Sequence, residues 1–94
     1  MNQQPSNAAL PPEPSPRPAY TFTQGQYLAF IHYYAKLNGV PPAQRDMQQY
    51  FRTSAPAVHQ MVVTLARKGL IARTPGQARS IRLLLNRQDI PDLE

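Results

Sequence analysis

Between Tyr20 and Leu84 the hydrophobic positions change period once, from helical spacing to alternation. In "YTFTQGQYLAFIHYYAKLNGVPP" Tyr27, Phe30, Ile31 and Tyr34 recur at helical spacing, and Leu28 and Ala35 widen the stripe. Two overlapping capping boxes precede them, Thr21 with Gln24 and Thr23 with Gln26. Gly39 offers a left-handed cap, and Pro41-Pro42 forbid continuation. "PPAQRDMQQYF" predicts a short second helix with Met47, Tyr50 and Phe51 inward and Gln44, Arg45, Gln48 and Gln49 outward. "TSAPAVHQMVVTLARKGLI" predicts a third over about 55–68. Ser54 is its natural N-cap, or Thr53 one residue earlier, Pro56 sits in the first turn, and Val58, Met61, Val62 and Leu65 form the buried stripe. Gly69 ends it, with Arg67 and Lys68 complementing the helix end.

The pattern then turns to alternation in "SIRLL", with Pro75-Gly76 as turn punctuation. Strands are predicted at about Leu70–Thr74 and Arg79–Leu84. The expected fold is therefore mostly α with a small β-hairpin: three helices plus a two-stranded antiparallel wing, the order of a winged helix-turn-helix. Residues 1–19 hold six prolines and read as a disordered, polyproline-like tail. Residues 20–86 form the predicted domain, and residues 87–94, "RQDIPDLE", read as a C-terminal tail that frays.

Composition narrows the chemistry. With no cysteine and two histidines, His32 and His59, thiolate metal sites and disulfides are excluded and metal ligands are scarce. No nucleophile–base pair stands out, so no enzyme, cofactor or metal site is expected. No apolar run reaches the length of a membrane span, and a cytoplasmic protein is the expectation. Charge is the positive signal. From Tyr20 to Arg87 nine bases face one acid, Asp46, a balance of +8; the other acids lie in the tails. A basic domain with acidic ends points to a polyanion, most simply nucleic acid.

On a helix-turn-helix, a third helix with small residues at its N-terminal end can enter a major groove, and an arginine-studded hairpin can lie on the backbone or reach the minor groove. Gln60 suits bidentate pairing with adenine, and His59 suits a guanine or a phosphate. Ser54 and Ala57 share their edge. Arg45, Arg52, Arg73, Arg79 and Arg82 are the candidate phosphate ligands, because such contacts need charge and reach more than register. His32 reads as a helix-flank residue.

"NGVPP", "LARKGLI" and "PGQARSIRLL" closely resemble the N-terminal DNA-binding domain of LexA-type repressors, from about Tyr20 to Leu84. The resemblance implies a stand-alone double-stranded DNA-binding domain that regulates transcription, repressor-like, with homodimerisation left open. It also implies a reading face of Ser54, Pro56, Ala57, His59 and Gln60, with Arg79 in the wing. The turn "FRTSAP" is one residue shorter than the common family form, and His59-Gln60 replaces the usual polar pair, so the target sequence is not transferable. Full-length repressors of this family carry a self-cleaving serine–lysine peptidase domain; the 10 residues after Leu84 leave no room for one. Two other readings remain: a winged-helix protein–protein adaptor, and an RNA or single-strand binder using exposed aromatics of the first helix, Tyr27, Phe30 or Tyr33.

Overall fold

The computed structural model describes residues 19–94; the expected polyproline-like tail lies outside the described residues, apart from its last position. Three helices and a hairpin follow in order: α1 (Phe22–Asn38), α2 (Gln44–Phe51), α3 (Ala55–Arg67), β1 (Ile71–Ala72) and β2 (Arg82–Leu83). This is the winged helix-turn-helix that the hydrophobic pattern predicts.

Of the two capping boxes, α1 uses the first. Thr21 Oγ1 accepts from the Gln24 amide at 3.1 Å, and Gln24 Oε1 accepts from the Thr21 amide at 3.0 Å. Gly39, at φ 76°, closes the helix by donating its N–H to the Ala35 carbonyl. At α2 the Asp46 carboxylate accepts the Ala43 amide at 2.8 Å, anchoring the first turn. Ser54 caps α3 by accepting the Ala57 amide at 3.2 Å, and the Leu70 amide reaches back to the Leu65 carbonyl beyond Gly69.

The three helices and the wing enclose Leu28, Ile31, Met47, Val58, Val62, Leu65, Ile71 and Ile81. Tyr27 stacks on Phe51 with ring centroids 4.0 Å apart, closing the core between α1 and α2. Met61 is only half-buried. Tyr50 departs from its inward assignment: it is 45% exposed, its ring leaning on Phe30 at 4.7 Å.

The wing ladder is shorter than the alternation predicts. Only Ile71↔Leu83 and Ala72↔Arg82 pair. Gly76 and Arg79 both adopt positive φ, 80° and 58°, so extended strands cannot run through them. The loop is instead stapled by Ser80. Its Oγ accepts the Thr74 amide at 2.9 Å and lies 3.1 and 3.0 Å from the carbonyls of Thr74 and Gln77.

The C-terminal residues do not fray. Arg87–Asp89 form one 3-10 turn, and Ile90 is buried. Gln26, only 8% exposed, donates through Nε2 to the Asp92 carbonyl at 3.0 Å and accepts the Glu94 amide at 2.8 Å. Tyr20 donates to the Asp89 carbonyl at 2.7 Å, and its ring crosses so close to Gly25 that a Cβ there would lie 2.8 Å from it. Two faces of α1 are thus covered, one by the core and one by this segment. Residues Gly25–Ile31 are consequently all buried.

Candidate nucleic-acid interface

The edge of α3 that faces away from the core carries Ser54, Ala55, Pro56, Ala57, His59 and Gln60, all exposed. Val58 and Val62, buried on the opposite side, fix the rotation of the helix and so decide which residues face outward. Ser54 uses its acceptor to cap α3, which leaves its hydroxyl proton free to donate outward. Ala55, Pro56 and Ala57 keep the first turn slim, so a partner's surface can approach the backbone closely.

Basic side chains lie on the elements before and after α3. Arg52 is exposed at the left-handed cap of α2, at φ 53°, directly before the α3 turn. Arg45 is exposed on α2, Arg82 is exposed on β2, and Arg73 is half-buried just beyond β1. Among the described residues no side-chain hydrogen bond or ion pair occupies these four. Arg45 and Arg73 line an open cleft of about 350 Å³ between the start of α2 and the wing loop. Guanidinium groups on α2, at the turn into α3 and in the wing, with no side-chain partner among the described residues, give a positive surface that suits phosphates and planar acceptors.

Arg79 behaves differently from the other arginines. Its Nη1 lies 3.1 Å from Asp46 Oδ2, 3.0 Å from the Tyr34 hydroxyl and 3.2 Å from the Pro41 carbonyl, and it donates to all three. The Tyr34 hydroxyl first, and the Asp46 carboxylate after it, raise its affinity for its proton still further. It therefore enters the interface already engaged, which the sequence did not signal.

The aromatic platform required of a single-strand binder is not exposed. Tyr27 and Phe30 are buried at 4% and 8%, and Tyr33 is half-buried with its hydroxyl accepting from Arg87 at 2.9 Å. The exposed large hydrophobics among the described residues, Phe22, Leu37, Val40, Tyr50 and Leu84, all lie outside α3.

With this geometry in hand, likeness to known proteins is decisive. The sequence profile of the LexA DNA-binding domain matches residues 19–80. The chain belongs to the LexA DNA-binding domain family. It is 36% identical over 70 residues to a LexA repressor of Thermosipho melanesiensis, an overlap of 74% of this chain and 35% of that protein. It is 38% identical over 72 residues to a LexA repressor of Cupriavidus taiwanensis (73% and 33% covered). With LexA repressor 1 of Pseudomonas putida it shares 39% over 61 residues (64% and 30% covered). The chain thus spans about a third of the length of the curated relatives it matches. The family match, residues 19–80, covers the three helices, β1 and the wing loop. Among the described residues no helix is long and apolar enough to cross a membrane.

Proposed function

We propose that this chain binds double-stranded DNA sequence-specifically and acts as a repressor-like transcriptional regulator. In this reading α3 enters the major groove and the wing lies along the backbone or the adjacent minor groove. Ser54, Ala57, His59 and Gln60 face base edges, and Arg45, Arg52, Arg73 and Arg82 hold phosphates. The observation that carries it is the exposed small-residue edge of α3 together with four arginines, on α2, at the turn into α3 and in the wing, that have no side-chain partner among the described residues. Family membership supports the same reading.

The charge argument makes a quantitative demand. Four neutralised phosphates give a log–log dependence of affinity on salt with a slope of about −3.6. Binding of a mixed-sequence duplex measured across salt concentrations checks this, and a flat response contradicts it. Sequence reading is tested by Gln60→Ala. Loss of a bidentate pair with adenine costs about 1–3 kcal/mol of discrimination, so the gap between a selected and a mixed-sequence duplex should narrow. An equal loss on both duplexes would assign Gln60 to the backbone.

A further inference from the structure

Asp46 is the only acid between Tyr20 and Arg87, and it stands beside the basic face. By charge alone an acid there weakens binding to a polyanion, so its presence calls for an explanation. Its geometry supplies one. The carboxylate is largely covered, 19% exposed, and its Oδ2 joins two partners from different elements: the Ala43 amide at the start of α2 and Arg79 of the wing. Arg79 in turn bonds the Tyr34 hydroxyl on α1 and the Pro41 carbonyl in the α1–α2 connection, and lies over the Tyr34 ring at 5.8 Å. One guanidinium thus ties the wing loop to three successive parts of the helical body. The wing's own ladder is only two residue pairs long, and the Ser80 bonds to Thr74 and Gln77 stay within the loop, so neither ties the loop to the helical body. Arg79 also holds a left-handed backbone, φ 58°, which a non-glycine residue keeps only where its surroundings impose it.

We infer that Asp46 is a positioning residue for DNA binding: through Arg79 it latches the wing to the body and so sets where Arg73 and Arg82 stand relative to α3. Arg79 is then the bolt of the latch and not a phosphate ligand. The inference rests on the DNA-binding reading for its functional part, whereas the latch itself is a property of the free protein.

Two readouts separate these parts. Asp46→Asn keeps a side-chain oxygen for the Ala43 amide, so α2 retains its anchor, but removes the ion pair and leaves Arg79 at most a neutral bond there; Arg79→Ala removes the bolt and leaves Asp46 to cap α2. The latch predicts that each variant weakens binding of a mixed-sequence duplex about fivefold with the salt slope unchanged, and that the double variant is no worse than either single one. It also predicts that, in the free protein, the Thr74 and Gln77 amides exchange with solvent several times faster in both variants while core amides of α1 do not. The opposite pattern overturns it. If Arg79 holds a phosphate, Asp46→Asn tightens binding, and Arg79→Ala weakens it with the salt slope shallower by about 0.9. Unchanged wing exchange also overturns it. Wild-type protein that binds no duplex would fail the DNA reading itself; faster wing exchange would then still uphold the latch in the fold, and unchanged exchange would sink it.

Discussion

The two ends of the helical body use the same residue types in opposite ways. Against α1, Gln26 and Arg87 are committed to intramolecular bonds, Gln26 to the backbone of Asp92 and Glu94 and Arg87 to the Tyr33 hydroxyl. Along α3 and the wing, the Gln60 and Arg82 side chains are exposed and make no hydrogen bond or ion pair among the described residues. A buried amide must find partners or cost free energy, so the α1 side is built for stability. Exposed, unpartnered guanidinium groups keep their hydrogen-bonding capacity for an outside ligand. Composition alone cannot tell these roles apart, because both faces draw on glutamine and arginine.

The contrast can be broken most strongly on the α1 side. Gln26→Ala leaves two backbone groups of the C-terminal segment without their partner. It should lower folding stability by about 1–3 kcal/mol in urea titration. Duplex affinity per folded molecule should stay within about twofold, since the substituted residue lies away from the α3 edge. A large affinity loss with stability intact would show that the two regions are not separate.

On the other face, Arg82→Ala should leave stability within about 0.5 kcal/mol, as expected of an exposed residue without partners. The salt slope of duplex binding should become shallower by about 0.9. A slope that stays put would remove Arg82 from the phosphate contacts and weaken the division drawn above.

The smallest expected effect concerns His32. Its Nε2 is enclosed without a hydrogen-bond partner among the described residues, and burial, followed by the charges of Arg87 and Lys36, lowers its pKa below the ordinary 6.5. In the unfolded chain the ring binds a proton more readily than in the fold. Stability should therefore fall as pH drops through 6.5 and level off once the folded-state pKa is passed. His32→Gln should flatten that part of the stability–pH curve. An unchanged curve would mean that His32 does not titrate differently in the two states.

Most of the fold was legible in the sequence, for identifiable reasons. Helical spacing and caps gave α1, α2 and α3 closely, because Gly39, Gly69, Pro41-Pro42 and Ser54 mark their ends chemically. The alternation overstates the wing strands, because Arg79 takes a left-handed conformation that its residue type does not advertise. The packing of the C-terminal segment is not legible because its apolar content, Ile90, Pro91 and Leu93, is too brief to show a period. Gly25 was the available signal: a glycine inside a strong helix marks a close approach, here by Tyr20 and Pro91. Within the candidate site, exposure of Ser54, Ala57, His59 and Gln60 follows from the buried stripe on the same helix. The engagement of Arg79 does not, since pairing with Asp46 across 33 positions is a tertiary fact.

The most direct test of the proposed interface is amide chemical-shift mapping while a duplex selected from a random pool is added. The account predicts that shifts concentrate at Arg52, Ser54–Gln60 and the wing, and that residues 26–33 and 87–94 stay still. Shifts centred on α1 and the C-terminal segment, with the α3 edge silent, would contradict it.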